Sequence, residues 1–108
     1  MQFISSKARV KGFFEGESIV LGPSTIGAKS LIGRNVIVGY PARRKIQDFP
    51  FSKSFSLEEF DSASAGAKIG NNCIIRSGTI IYEKAATGDW VETGHNVLIR
   101  EGCTVGDR

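Results

Sequence analysis

The chain has one histidine, one tryptophan, one methionine, two cysteines and three prolines in 108 residues. A single imidazole cannot supply a three-histidine zinc set, so no metal is expected. No apolar run is long enough to cross a bilayer. Met1–Ser6 (MQFISS) is too short and too polar for a leader or an anchor, so no membrane partner is expected. The charge balance of 14 Lys and Arg against 11 Asp and Glu leaves only +3. Apart from Arg43-Arg44-Lys45 the basic residues are scattered, with no alternation of basic and aromatic residues, which argues against a nucleic-acid partner. No phosphate-binding P-loop is present either.

Glycine and β-branched residues, by contrast, are plentiful and regularly spaced. Val20, Ile26, Ile32 and Val38 recur every six residues, as do Ile69, Ile75, Ile81, Thr87, Thr93, Ile99 and Val105. Extending the register backward adds Ala8 and Phe14. A period of six fits neither a helix nor a plain strand, so the chain must turn once per repeat. A short strand and a corner per hexad, three hexads per coil, satisfy it as a parallel β-helix. Four places after each inward residue the side chain is small or β-branched, as at Ser18, Ser24, Ser30, Val36, Cys73, Thr79, Ala85 and Cys103. Glycine follows the inward residue at Gly27, Gly33, Gly39, Gly70, Gly88, Gly94 and Gly106. Asn35, Asn72 and Asn96 fall at the third place, where a tight corner calls for left-handed backbone.

This reading gives one all-β domain, residues 1–108, with coils at 8–43 and 63–108 and a protruding loop at 44–62. The loop carries Phe49, Phe51, Phe55 and Phe60, and Ser56 with Glu59 has capping-box spacing for one helical turn. Cys73 and Cys103 both fall in small interior slots on different sides of the coil, so no disulfide is expected. Free buried thiols fit a reducing compartment, which makes the cytoplasm the expected location. The chain stops within a hexad, so the expectation is the front part of a longer protein.

The stretches IGAKSLIGRNVIVG, AKIGNNCIIRSGTIIY and TGHNVLIREGCTVGDR resemble the hexapeptide-repeat acyltransferases, in particular the sugar and amino-sugar acetyltransferases. The resemblance implies a left-handed winding, a homotrimer with active sites between neighbouring helices, and acetyl-CoA as co-substrate. It also implies a histidine that takes the proton from the hydroxyl or amine of a small polar acceptor, such as an amino sugar or a nucleotide sugar. The carbonic anhydrases built on this fold need three histidines, which this chain lacks. The competing reading is a non-catalytic β-helix scaffold that assembles side by side or end to end.

His95 lies at an outward corner, where an imidazole can act as general base, and backbone amides at Gly94 and Asn96 are candidates to hold an oxyanion. A solvated corner histidine is the bland alternative. Trp90 lies at another corner, as a subunit contact, a cleft wall or a ring lying over its own turn. Tyr82 and Arg100 are 18 residues apart, hence stacked and outward, and are candidates to face substrate. Glu83 and Glu101, and likewise Asp89 and Asp107, stack at corners, where solvated carboxylates compete with proton sharing or cation binding. Arg43, Arg44 and Lys45 suit the phosphates of CoA or of a nucleotide-sugar acceptor, against the alternative of a solvated basic turn.

Overall fold

A computed structural model describes residues 2–47 and 57–107. The chain deals its strands to three sheets in rotation. In the first round, β1 (Phe3–Ile4) joins sheet 1, β2 (Arg9–Val10) sheet 2 and β3 (Phe13–Phe14) sheet 3. Then β4 (Ile19–Val20), β5 (Thr25–Ile26) and β6 (Leu31–Ile32) repeat the order, and β7 (Ile37–Tyr40) returns to sheet 1. After the excursion come β8 (Lys68–Ile69) in sheet 2, β9 (Ile74–Ile75) in sheet 3 and β10 (Ile80–Tyr82) in sheet 1. In the last round β11 (Ala86–Thr87) and β13 (Thr104–Val105) lie in sheet 2 and β12 (Leu98–Ile99) in sheet 1, while Glu92 forms a single bridge to Ile74. Each of these pairings is parallel, so the fold is mostly short parallel sheets with few helices, as an all-β reading requires, and it measures 42 × 25 × 23 Å.

The inward column holds. Val20, Ile26, Ile32, Val38, Ile69, Ile75, Ile81 and Ile99 are buried, and Thr87 and Thr93 with them. Where threonine replaces isoleucine, its hydroxyl accepts a backbone N–H from the neighbouring round, Gly70 for Thr87 and Arg76 for Thr93. The small column is polar for a similar reason. Ser30 Oγ donates to Gly70 O at 2.7 Å and accepts from Cys73 N at 2.9 Å, so the corner leaves no buried orphan. A Cβ on Gly70 would collide with the carbonyl of Gly88 in the next round, which explains glycine directly after the inward residue.

Two expectations are corrected at the ends of the stack. Val10, not Ala8, pairs with Ile26, because the first round is two residues shorter than the 18-residue offset that joins Phe14 to Ile32. Ala8 drops back into the small column. Cys103 is exposed although its slot is interior by spacing, since no further described round covers it, whereas Cys73 is buried.

The 44–62 segment departs from the expected loop. It opens with helix α1 (Arg43–Gln47), so Arg43, Arg44 and Lys45 are helical and do not form a turn. It closes with α2 (Leu57–Ala63), longer than the single turn expected. Phe49, Phe51, Phe55 and the Ser56 cap lie outside the described residues. Across the excursion the register is offset by 43 residues, pairing Ile26 with Ile69 and Val38 with Ile81.

The three outward faces differ. Sheet 1 presents the apolar row Phe3, Ile19, Ile37, Ile80 and Leu98, and sheet 3 presents Phe13, Leu31 and Ile74. Leu98 is 52% exposed and Phe13 64%. Sheet 2 instead presents Arg9, Thr25, Lys68, Ala86 and Thr104.

The corners use left-handed backbone at the expected Asn35, Asn72 and Asn96, and also at Lys29, Lys84 and Trp90. A bulky side chain at φ 63°, as in Trp90, costs about 1–2 kcal/mol relative to a residue that tolerates this region. Trp90→Asn is therefore expected to raise stability by about 1 kcal/mol in urea denaturation. An unchanged or lowered midpoint would show that the exposed ring contributes packing that outweighs the strain.

Candidate functional site

The three lines of corners between the sheets form three edges, and the candidate residues are divided among them. Between sheets 2 and 3, the polar corner side chains make a ladder. Asn71 Oδ1 accepts from Ala28 N, Asp89 Oδ1 from Asn71 N and Asp107 Oδ1 from Asp89 N, each at 2.8 Å. The stacked Asp89 and Asp107 thus cap backbone amides one round away. Trp90 stands on this same edge and is 57% exposed.

The edge between sheets 3 and 1 carries His95. The 43-residue offset brings Arg34 beside Ser77 and the 18-residue offset brings Ser77 beside His95, with Gly78 N donating to Arg34 O at 3.0 Å and Asn96 N to Ser77 O at 2.9 Å. Ser77 Oγ lies 2.8 Å from His95 Nδ1. With the hydroxyl accepting, Nδ1 carries the proton and the lone pair sits on Nε2. With the hydroxyl donating, Nδ1 carries the lone pair instead, so the contact orients the exposed imidazole without choosing its tautomer. Of the two amides expected to hold an oxyanion, Asn96 N–H is committed to Ser77, whereas among the described residues Gly94 N–H has no acceptor. Nearby, the Arg76 guanidinium pairs with Glu92.

The third edge, between sheets 1 and 2, is where the excursion leaves and returns. Glu83 is 2% exposed and is not a solvated corner carboxylate. Its carboxylate accepts from Ala42 N at 2.9 Å, Ala65 N at 2.8 Å and Lys45 Nζ at 2.7 Å. Lys45 Nζ also donates to Ala63 O at 2.7 Å. One side chain thus ties both feet of the excursion to the sheet stack. Burial pushes the Glu83 carboxyl up, but the Lys45 hydrogen bond, the two backbone N–H donors and the Lys45 charge together hold it below its ordinary value. Glu101, one round away, pairs with Arg100 instead.

Tyr82 and Arg100 are brought together here as expected, the Arg100 guanidinium lying 4.8 Å from the Tyr82 ring centroid. Tyr40 meets Tyr82 edge to face at 5.2 Å and packs on Phe60 at 5.8 Å. Arg43 and Arg44 stand beside these residues, so the expected phosphate group and the expected substrate group share an edge, while His95 and Trp90 each occupy another. Ser77, the partner of His95, lies one 18-residue round before it and was within reach of the spacing although not singled out, whereas Arg34 needed the register across the excursion. The apolar rows on sheets 1 and 3 were legible as Ile-Val and Leu-Ile pairs but point outward.

Comparison of the chain with protein-family models, with curated proteins and with solved structures returned no match.

Glu83→Ala is expected to lower stability by about 3 kcal/mol in urea denaturation at neutral pH, because two buried amides and an ammonium lose their acceptor. Glu83 is held below the ordinary carboxylate range in the folded chain, so its contribution is full above that range and is lost as the pH falls through and below it. That part of the acid dependence should be missing from the variant. A variant with an unaltered acid transition would contradict the tethering role.

Proposed function

We propose that the chain winds as a left-handed parallel β-helix and works as an acyltransferase, moving an acetyl group from acetyl-CoA to the hydroxyl or amine of a small polar acceptor such as an amino sugar or nucleotide sugar. The rotation of strands through three parallel sheets supports the β-helix, and the hand comes from the resemblance of its hexads to that superfamily. The observation that carries the chemistry is the Ser77–His95 contact on an otherwise open edge.

In this reading Nε2 of His95 takes the proton from the acceptor as its oxygen or nitrogen attacks the thioester carbonyl. The carbon–sulfur bond then breaks, and the proton passes from the imidazolium to the departing thiolate. Gly94 N–H is the candidate donor to the oxyanion between these steps. Ser77 acts through His95 as a positioning residue.

The apolar outward faces of sheets 1 and 3 flank this edge. Their exposure on a single copy supports assembly into a homotrimer, in which the His95 edge of one copy lines a cleft against its neighbour. The basic cleft at α1 lies on the other border of sheet 1.

His95→Ala is expected to cut acetyl-CoA-dependent turnover, measured by thiol release across a panel of amino sugars and nucleotide sugars, about a hundredfold with an unchanged melting temperature. Ser77→Ala should lower turnover less and shift its pH profile. Equal turnover in wild type and His95→Ala would remove the general base from the reading and favour the scaffold alternative.

A further inference from the structure

Two clefts lie on the edge between sheets 1 and 2, lined by successive residues of the same segments. One, of about 580 Å³, is lined by Tyr40, Tyr82, Arg43 and Arg100 among others. The second, of about 470 Å³, is lined by Arg44, Lys84 and the Lys45–Glu83 pair, with Glu101 at its border. Their linings alternate along the chain, Arg43 in one and Arg44 in the other, Tyr82 in one and Glu83 in the other, Arg100 in one and Glu101 in the other. Consecutive helical residues diverge by about 100°, so α1 places an arginine in each. Both volumes lie within the range of small-molecule sites.

The chemistry of the two halves is different. The larger half has the half-buried Tyr82 ring with the Arg100 guanidinium over it, and Tyr40, itself packed on Phe60, meets that ring edge to face. Such a ring and guanidinium take the planar face of a base. Arg43 stands at the border with the smaller half, where Arg44 and Lys84 are in no ion pair among the described residues. Lys45 is occupied by Glu83 and Ala63, so it shapes the cleft and does not face a ligand. Guanidinium groups suit phosphate oxygens through paired N–H donors. The buried Glu83 node keeps α1 against the sheet, so the walls are set before any ligand arrives.

We propose that this double cleft binds a nucleoside diphosphate group, the base against Tyr82 and Arg100 and the diphosphate on Arg43, Arg44 and Lys84. The proposal rests on the acyl-transfer reading for its class of ligand, but the site lies on another edge than His95, so binding and turnover fail or survive separately. The group has two sources, a nucleotide sugar or the adenine nucleotide end of a CoA thioester, and binding alone separates them.

The test is calorimetric titration of UDP, ADP and inorganic pyrophosphate into the full chain at physiological ionic strength. Saturable binding of a nucleotide at one site per chain is expected, at least tenfold tighter than pyrophosphate. Preference for UDP assigns the site to a nucleotide sugar and preference for ADP to the CoA end. Arg43→Ala and Tyr82→Leu should each weaken binding roughly tenfold, with melting temperatures recorded to show that both variants fold. Arg9→Ala, which removes the same charge from the sheet 2 face, should leave it unchanged. Absence of nucleotide binding overturns the proposal, as does pyrophosphate binding as tightly as the nucleotides. Equal losses in Arg9→Ala and Arg43→Ala overturn it too, by reducing the effect to net charge. None of these results depends on turnover, so the acyl-transfer reading fails or survives separately.

Discussion

Backbone hydrogen bonds between parallel strands of successive rounds, such as Gly33 N–H to Ile75 O at 2.7 Å, hold the chain at one strand spacing per round. The interior this leaves takes one branched side chain per strand, flanked by a slot for serine, cysteine or alanine. Nearly every other feature follows from that width. The core column has to be Ile, Val or a threonine that caps an amide, corners need left-handed backbone, and close rounds admit only glycine beside them. Function is thereby pushed outward, to three edges and three faces, since a core so narrow has no room for a site.

The excursion is the one place where the chain escapes this constraint, and Glu83 is what reconnects it. Without an acceptor at that corner, the amides of Ala42 and Ala65 would be left unpaired where the excursion departs and returns. Asp61 adds a second tether, accepting from Gly22 N at 2.7 Å. Ser64, buried between rounds, donates to Gly39 O. The result is a tethered wall, α1, set beside an aromatic and basic edge. The stack supplies Tyr82, Lys84 and Arg100, and the excursion supplies Arg43 and Arg44.

The hexad columns were legible because each repeat makes the same local demand, and Ile69, Ile75 and Ile81 are buried as the spacing required. What spacing could not supply was anything set by contacts distant along the chain. Glu83 reads as a solvated corner until Lys45 and Ala65 are known to reach it. Ser77 becomes the partner of His95 at the 18-residue offset, but Arg34 joins that edge only through the 43-residue offset across an insertion whose length no repeat constrains. At the ends the same logic fails differently, because Cys103 has an interior position in the pattern but no described round above it. The imidazole, the two arginines and the tyrosine were all visible as candidates. Their division among separate edges was not.

The most direct test of this account concerns the register. The excursion replaces an 18-residue offset with one of 43, which is 25 residues more, so excising residues 42–66 rejoins Val38 to Ile69 at the hexad spacing. Chemical denaturation of that deletion, beside one that excises residues 42–65, measures whether the columns alone hold the stack. The account predicts cooperative unfolding with retained β-sheet circular dichroism for the 25-residue deletion. It predicts a clearly lower midpoint for the 24-residue deletion, in which the joining corner has to take up one residue too many. Equal behaviour of the two deletions would contradict it.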